Sequence, residues 1–305
     1  VVEEFGRGIL TADGFLDRPA LGRLVFGDEA RRKALNAIVH PLVYRRRAEL
    51  VAAAAADAIV VEDIPLLVEN RLGGGFHLVI VVHAPAGERV RRLVDSRGMA
   101  SDDVWARVRS QASDDERRAA ADIWLDNTGK VGELDAAVDT LWEDRLVPFE
   151  QNVRTRTAGR RPTPPTLVPY DPDWPAQAAR LADRVAYAMG ELATRVDHVG
   201  STAVPGLRAK DVIDLQATVR SLEDADAARE TLEDAGFIHR PVTADYPKPT
   251  DPDPDRWRKR LHVSADPGRA VNLHIRAAGT AGWRYALVFR DWLRAVPAEA
   301  DSYEA

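Results

Sequence analysis

The sequence predicts two domains of different fold class, an α/β domain over residues 1–150 and an α+β domain over residues 167–305. Two observations predict the first: short, continuously apolar runs at residues 58–61 and 78–82, and helical patterns before and after them. Such runs are typical of strands buried on both faces of a parallel sheet. Strands separated by helices indicate a doubly wound α/β fold. A chain of 305 residues also fits two cores better than one.

Helices are predicted on both sides of those strands. Residues 29–39 carry apolar side chains at helical spacing, and His40-Pro41 is expected to interrupt this helix before it resumes over residues 42–56. Further helices are expected at residues 86–96, 101–110 and 114–121, with a closing helix at 133–146.

Residues 151–166 are predicted to form a linker. They are polar and Pro-rich, and Pro162, Pro164 and Pro165 favour an extended path. The segment beyond predicts a helix over about 175–192, strands at 212–219 and 271–275, and helices at 222–235 and 283–295. This mixture indicates an α+β domain.

Composition limits the classes of function. The formal net charge is -6, which gives no general attraction to nucleic acid or to anionic membranes. Cysteine is absent, so disulfides and thiolate metal sites are excluded. No apolar run approaches the length of a membrane span. We therefore expect a cytoplasmic protein without nucleic-acid or membrane partners. Both ends of the sequence have the pattern of helix interiors, and we expect a truncated or misplaced start.

A series of motifs runs through residues 1–150 in fixed order. The motifs are Phe5-Gly6-Arg7-Gly8-Ile9-Leu10, Asp17-Arg18-Pro19-Ala20-Leu21, Ile38-Val39-His40-Pro41-Leu42, Asp63-Ile64-Pro65-Leu66-Leu67-Val68-Glu69, Arg91-Arg92-Leu93, Ser96-Arg97-Gly98, Arg107, Gln111, Arg117, Ala121-Asp122 and Asp126-Asn127-Thr128-Gly129. This series resembles the dephospho-coenzyme A kinases. The resemblance implies a P-loop kinase-type parallel sheet with a helical lid. It also implies transfer of the γ-phosphate of ATP, bound with Mg²⁺, to the ribose 3′-hydroxyl of dephospho-coenzyme A.

The resemblance assigns roles to arginines in residues 86–122. Arg117 would be the lid arginine that reaches the transferred phosphate, and four further residues would contact ATP: Arg92, Arg97, Arg107 and Asn127. Guanidinium groups on a closing lid suit phosphoryl transfer, which depends on positioning and charge neutralisation. Each arginine is also compatible with a surface ion pair, because Asp102, Asp103, Asp114 and Asp115 are nearby in sequence. Asn127 is equally compatible with a plain turn.

Contacts to the acceptor are assigned to His40, Asp63, Pro65 and Leu66. Asp63 follows an expected buried strand, at the edge where open α/β sheets bind ligands. It would hold Mg²⁺ through water or orient the acceptor, or only cap the next turn. His40 would contact the acceptor or satisfy local backbone groups.

The main departure from the family is a missing phosphate-binding loop. The 305 residues contain no Gly-x-x-x-x-Gly-Lys-Ser/Thr, and Gly73-Gly74-Gly75 is not followed by Lys-Ser. The Asp-containing segment that the family uses as catalytic base is also not found. Backbone amides and a lysine would normally cradle the β- and γ-phosphates. We expect the chain as written to be inactive.

The segment 167–305 resembles the GrpB family, whose fold is similar to nucleotidyltransferases. The resemblance rests on Val168-Pro169-Tyr170-Asp171-Pro172-Asp173-Trp174-Pro175, His198-Val199-Gly200-Ser201-Thr202-Ala203-Val204-Pro205-Gly206-Leu207, Ala209-Lys210, Val212-Ile213-Asp214, Asn272-Leu273-His274 and Phe289-Arg290-Asp291-Trp292-Leu293-Arg294. A kinase of this type joined to a GrpB-like domain is similar to the arrangement in mycobacteria and related actinobacteria.

Nucleotidyltransferases place Gly-Ser on a turn and two carboxylates two residues apart on one strand face. Gly200-Ser201 and Asp214 fit this pattern, but Gln216 occupies the second carboxylate position and is a poor metal ligand. No metal site is therefore assigned. A phosphate or nucleotide pocket is expected instead, lined by Gly200, Ser201, Thr202, Lys210, Asp214 and His274. Three alternatives stay open: a purely structural domain, a non-catalytic binding or regulatory protein, and a nucleotidyltransferase activity of this half.

Overall fold

A computed structural model of the chain describes residues 1–25, 27–130, 132–161, 164 and 166–304. The predicted linker residues Pro162 and Pro165 lie outside the described residues. The chain forms two compact units, residues 1–61 and residues 62–305.

The first unit is helical. Its helices are α1 (Val2–Phe5), α2 (Arg18–Val25) and α3 (Glu29–Ala52). Asp28 caps α3, because its Oδ1 accepts a hydrogen bond of 3.0 Å from the Arg31 amide. The predicted interruption at His40-Pro41 is wrong, since α3 continues through Pro41. The turns on both sides are rich in strong helix formers, which tolerate the one hydrogen bond that proline removes.

The strand predicted at residues 58–61 is also wrong. These residues have irregular backbone, and Val61 is exposed. β-branched residues favour strands only where the backbone pairs with a neighbouring strand and the side chains pack against a covering layer. Among the described residues, no strand pairs with this segment.

The second unit begins with a two-stranded parallel sheet and its helices. The strands are β1 (Ile80–His83) and β2 (Ile123–Asp126), with Ile80 opposite Ile123 and His83 opposite Asp126. The helices are α4 (Ala86–Arg97), α5 (Ser101–Ser110), α6 (Asp114–Ala120), α7 (Glu133–Leu141) and α8 (Val147–Arg154), with a π-helical turn at Trp142–Leu146. The strand predicted at 78–82 and the helices predicted at 86–121 are therefore confirmed, whereas β2 was not predicted as a strand.

A five-stranded sheet follows. Its strands are β4 (Ala193–Val199), β6 (Ile213–Val219), β7 (Phe237–Arg240), β8 (Arg260–Ser264) and β9 (Val271–Ala277). They lie in the order β4-β6-β9-β8-β7. Only β6 and β9 pair in parallel, and the other pairs are antiparallel. A separate short ladder joins β3 (Leu167–Val168) to β5 (Ala209–Lys210). The prediction of an α+β second half is confirmed.

Five helices accompany these strands. They are α9 (Trp174–Met189), α10 (Leu222–Ala227), α11 (Arg229–Asp234), α12 (Ala281–Ala295) and α13 (Pro297–Glu304). The main hydrophobic core joins α9, α10 and α11 to β6 and β9, and Ile213, Leu215 and Leu273 within it are fully buried. The opposite face of β6 and β9 carries polar side chains, of which Asp214 and His274 are half-buried and Gln216 and Arg276 are buried.

Asp122, just before β2, ties the two-stranded sheet to helix α9. Its carboxylate accepts a 2.8 Å hydrogen bond from the Val79 amide, pairs with Arg180 at 3.2 Å and pairs with Arg184. Arg184 also donates to the Phe76 carbonyl at 2.8 Å. Both ends of the predicted linker therefore belong to the same compact unit. The linker boundary at 151–166 stays a prediction. No helix among the described residues has the length and apolarity that a membrane crossing requires.

Candidate functional site

The carboxyl ends of β1 and β2 form one edge of the parallel sheet. The Asn127 amide donates to the His83 carbonyl at 2.7 Å, which extends the ladder beyond β2. Helix α4 begins three residues after His83, so its first turns lie next to this edge. Open α/β sheets bind ligands at such an edge.

Arg92 joins α4 to the segment after β2. Its Nη2 donates to the Asn127 carbonyl at 2.9 Å, and its Nε donates to Glu88 Oε1 at 2.7 Å. Arg91 and Arg92 hold the pKa of Glu88 well below its usual range, at about 2. The structure therefore brings together two predicted ATP-side residues, Arg92 and Asn127. Sequence reasoning missed Glu88, which orients Arg92 from one helical turn away.

Arg117 lies on α6 beside a second arginine. It pairs with Asp114, and Arg89 Nη2 lies 3.8 Å from the same carboxylate. Burial and the charge of Arg117 lower the pKa of Arg89. Two guanidinium groups thus share one carboxylate, which leaves positive charge beside α6. Among the described residues, the Nε atoms of both arginines are buried without a hydrogen-bond partner. The ion pair foreseen as the alternative for Arg117 is present, and its phosphate contact stays a prediction.

The other predicted kinase-side residues are exposed. Arg97 ends α4 and Arg107 lies in the last turn of α5. Asp63, Pro65 and Leu66 follow the irregular segment that replaces the predicted strand, so Asp63 does not stand at the end of a strand. His40 is an exposed residue of α3 in the first unit. The roles predicted for these six residues stay predictions.

A second cluster lies where β4 ends and β6 begins. Gly200 follows β4 with a φ of 74°, a left-handed conformation that favours glycine. A Cβ at Gly200 would lie 2.5 Å from Asp214 Oδ2. Only glycine therefore allows this turn to approach the Asp214 carboxylate so closely.

The other oxygen of Asp214 faces strand β9. Asn272 Nδ2 donates to Asp214 Oδ1 at 2.8 Å, and His274 Nε2 lies 3.6 Å from the same oxygen. Lys259 Nζ lies 3.1 Å from His274 Nδ1, so the lysine donates there and the imidazole proton resides on Nε2. Burial lowers the pKa of His274 and favours this neutral form. Gly200, Asp214 and His274, all predicted, do come together.

Gln216 occupies the position of a second carboxylate and is fully buried. Its Oε1 accepts a 2.6 Å hydrogen bond from Arg276 Nη1, and its Nε2 donates to the Trp283 carbonyl at 3.2 Å. Both ends of the amide are used for structure. No group of three or more His, Cys, Asp or Glu side chains in the described part of the chain is placed to hold a metal ion. The residues around Asp214 therefore do not fit a two-carboxylate Mg²⁺ site.

Thr202 and Lys210 differ from the expected lining. Thr202 is buried, and its hydroxyl lies 2.9 Å from His198 Nε2, so it fastens the turn. Burial, reinforced by the charge of Arg294, lowers the pKa of His198 to about 4 and keeps that ring neutral. Lys210 is exposed on β5, and Ser201 is half-buried directly after Gly200. Sequence reasoning gave His198 no role although it opens a family motif, and it missed Lys259, because the contact of Lys259 with His274 depends on the pairing of β8 with β9.

The comparisons with known proteins follow this division of the chain. The family model described as dephospho-CoA kinase matches residues 1–133. A Mycolicibacterium paratuberculosis protein named dephospho-CoA kinase is 52% identical over 316 residues, covering 99% of this chain and 77% of that protein. A Mycobacterium tuberculosis protein of the same name is 49% identical, with the same shares covered. The chain belongs to the dephospho-CoA kinase family.

This dephospho-CoA kinase family member also carries a GrpB domain, because the family model described as GrpB protein matches residues 164–305. The crystal structure of conserved protein GrpB from Enterococcus faecalis is 26% identical and covers 46% of this chain and 78% of that chain, with a TM-score of 0.38. The cluster at Arg92 and Asn127 lies in the kinase match, and the cluster at Asp214 lies in the GrpB match.

Proposed function

We propose that this chain supplies the lid and the acceptor side of an ATP-dependent kinase that phosphorylates the ribose 3′-hydroxyl of dephospho-coenzyme A. Family membership supports the reaction type. The observation that carries the proposal is the contact of Arg92 with the Asn127 carbonyl at 2.9 Å, at the carboxyl edge of the parallel sheet. This contact supports the proposal, because the Arg92 guanidinium group lies beside the type of sheet edge at which α/β folds bind ligands.

In this reaction the bond between the γ-phosphorus and the β,γ-bridging oxygen of ATP breaks. A new bond forms between that phosphorus and the 3′-oxygen, and the hydroxyl proton is released. The charge on the moving phosphoryl group must be neutralised. Arg117 and Arg89 share one carboxylate and therefore retain positive charge for that purpose. Mg²⁺ would neutralise the phosphates further, held mainly by the nucleotide itself.

The 305 residues lack the sequence that holds the phosphates of ATP in such kinases. They contain no Gly-x-x-x-x-Gly-Lys-Ser/Thr sequence, which forms the backbone cradle of the β- and γ-phosphates in P-loop kinases. We therefore expect no ADP formation by the 305-residue chain alone. An extended protein that carries this motif ahead of Val1 should form ADP only when dephospho-coenzyme A is present.

The test measures ADP release by the extended protein and by two variants. Arg117→Ala should lower turnover by roughly tenfold or more, because a preorganised charge on the transferred group is lost. Arg109→Ala removes an exposed arginine of α5 and serves as the matched control, with little expected change. An extended protein without activity toward dephospho-coenzyme A would refute the proposed reaction.

A second function is proposed for the GrpB domain, namely binding of a phosphorylated ligand at the turn around Gly200. The support is the glycine turn itself, because the φ of 74° at Gly200 lets the backbone approach a ligand closely and the half-buried Ser201 follows directly. Nucleotidyl transfer is the weaker alternative, because Gln216 is committed to Arg276 and Trp283. Mg²⁺-dependent nucleotide incorporation that is lost in Asp214→Ala would favour that alternative. The same substitution should leave the kinase reaction unchanged.

A further inference from the structure

Trp124 connects helix α6 to the carboxyl edge of the two-stranded sheet. It is the second residue of β2 and lies opposite Val81 of β1. Its ring stacks on the imidazole of His83, the last residue of β1, with 4.6 Å between ring centroids and 29° between ring planes. The guanidinium carbon of Arg118, in the last turn of α6, lies 4.3 Å from the centroid of the Trp124 ring. We call these three side chains the Trp124 column.

The pairing of the two strands explains the Trp124 column. Val81, which pairs with Trp124, lies two residues before His83. Because alternate residues of a strand share one face, His83 and Trp124 project from the same face of the sheet. The face of an indole ring is electron-rich and attracts a guanidinium group. The sheet thus supplies a half-buried aromatic surface that a cation of α6 contacts.

Helix α6 depends on such contacts for its position. It has only seven residues, and isolated helices of this length are not stable in water. A capping box of Ser113 and Glu116 satisfies backbone amides at its start. At its end, Arg180 Nη1 of α9 donates to the Ala119 carbonyl at 2.7 Å. The contact of Arg118 with Trp124 therefore holds the same turn of α6 from the side of the two-stranded sheet.

Arg117 directly precedes Arg118 and contacts a different part of the molecule. Successive residues of a helix are about 100° apart around its axis. Arg118 accordingly contacts Trp124, whereas Arg117 pairs with Asp114 beside Arg89 of α4. A shift of α6 would displace Arg117 as well, and a displacement of about 1 Å can cost about 100-fold in rate. The Arg118–Trp124 contact thus fixes the backbone position from which Arg117 extends.

We propose that Trp124 is a positioning residue for Arg117 in phosphoryl transfer to dephospho-coenzyme A. Trp124 acts through Arg118, because the cation–π contact sets the position of α6. Helix α6 in turn sets where the Arg117 guanidinium group lies relative to the carboxyl edge of the sheet. This inference rests on the kinase reaction proposed above, and it adds two residues to which no role was assigned from the sequence.

The experiment measures kcat and KM of the extended protein that carries the phosphate-binding motif ahead of Val1. Trp124→Leu and Arg118→Gln each remove the cation–π contact and should lower kcat about fivefold, or about 1 kcal/mol, the strength of one such contact. The KM for dephospho-coenzyme A should stay unchanged. Trp124→Phe keeps an aromatic face and should restore most of kcat. Trp142→Leu, at an exposed tryptophan of the π-helical turn, is the matched control and should alter neither quantity.

Two further measurements show whether the effect passes through α6 and Arg117. In an Arg117→Ala background, Trp124→Leu should cause no further loss of kcat, because the group that it positions is already absent. In the 305-residue chain, hydrogen exchange of amides 117–121 should be faster in Trp124→Leu than in Trp142→Leu.

The results separate this inference from the proposed reaction. With activity present, an unchanged kcat in Trp124→Leu, or a loss that adds fully to that of Arg117→Ala, would overturn the positioning role and leave the reaction standing. A loss in Trp124→Leu without a loss in Arg118→Gln, which changes only an exposed side chain, would indicate a folding defect and overturn it as well. An unmodified extended protein without ADP formation would refute the reaction and the role of Trp124 in it. Unchanged exchange of amides 117–121 would then also refute the attachment of α6 to Trp124.

Discussion

The two sheets of the second unit differ in how they are stabilised. In the five-stranded sheet, Ile213 and Leu215 of β6 are 0% exposed and lie within the main core. In the two-stranded sheet, Ile80 is 36% exposed and Val82 is 52% exposed. Parallel sheets normally need both faces covered. The two-stranded sheet therefore depends on contacts with neighbouring elements, above all the contacts of Asp122 with α9.

The largest expected effect comes from Asp122. Asp122→Ala removes the partner of two arginines and leaves the almost buried Arg184 charge uncompensated. Loss of one partner of a buried pair costs about 3–5 kcal/mol. Hydrogen exchange of the β1 and β2 amides should show this loss in local opening free energy. Asp95→Ala breaks only an exposed pair with Arg91 and should change it by less than about 1 kcal/mol. Equal effects of the two substitutions would contradict the dependence on α9.

Truncation of apolar residues should sharpen the contrast between the sheets. Leu215→Ala creates a cavity in the main core and should cost about 2–5 kcal/mol in the free energy of unfolding. Val82→Ala removes methyl groups that are already half in water, so we expect a cost of about 1 kcal/mol or less. Denaturant unfolding of both variants measures the difference. A larger cost for Val82→Ala would show that its exposed face is covered in solution.

A glycine pair tests the turn at the Asp214 cluster. Gly200→Ala introduces a Cβ 2.5 Å from Asp214 Oδ2 at a φ of 74°, whereas Gly206→Ala meets open space at a φ of 81°. Both should lose about 1–2 kcal/mol to the left-handed conformation. Only Gly200→Ala should lose more in thermal unfolding and should also lose binding of inorganic pyrophosphate, used as a probe for the phosphorylated ligand proposed for this turn. Equal behaviour of the two variants would refute the close approach.

The stability of the GrpB domain should depend on pH through His262. Burial, followed by the charge of His239, lowers the pKa of His262 to about 3. In the described part of the chain both of its ring nitrogens are buried without a hydrogen-bond partner. The unfolded chain takes up the proton near pH 6.5 and the folded chain only near 3, so stability falls as pH falls through this window. The slope is about 1.4 kcal/mol per pH unit.

Chemical denaturation between pH 7 and pH 5 measures this slope. His262→Leu should reduce the slope of unfolding free energy against pH by the contribution of one proton. His40→Gln, at an exposed site on α3, should leave the slope unchanged. His198, whose pKa is lowered to about 4, should keep a residual slope in His262→Leu. A slope that is the same in both variants would exclude His262 as its source.

The sequence could predict the elements with strong local signals. Helices α4 and α5 carry apolar residues at helical spacing, α6 begins with a capping box of Ser113 and Glu116, and the predicted bounds of all three agree with the structure to within about two residues. The strand predicted at 58–61 was wrong because only the apolar, β-branched composition of this segment favoured it, and no strand among the described residues pairs with it. The interruption predicted at Pro41 was wrong because a 24-residue helix tolerates the loss of the one hydrogen bond that proline removes.

The candidate sites were predictable only where a motif fixes neighbouring residues. Gly200 and Asp214 were found through a family motif, and the neutral Gln216 correctly argued against a carboxylate pair. Asp122 was found only as part of a family motif, without its ion pairs, and Arg161 and Lys259 were not found. The partners of these three residues, Arg184, Asn272 and Asp245, lie 62, 111 and 14 positions away. Such long-range pairs are set by tertiary packing, and a single sequence carries no local pattern for them.

Helix α9 of the GrpB domain stabilises the two-stranded sheet through the ion pairs of Asp122 with Arg180 and Arg184. A double-mutant cycle between Asp122→Ala and Arg184→Leu, read out as hydrogen exchange of the β1 and β2 amides, tests it most directly. We expect a coupling free energy above about 1 kcal/mol, with the double variant less destabilised than the sum of the single variants. Additive effects, or β1 and β2 amides whose exchange does not change in any of the three variants, would contradict the claim.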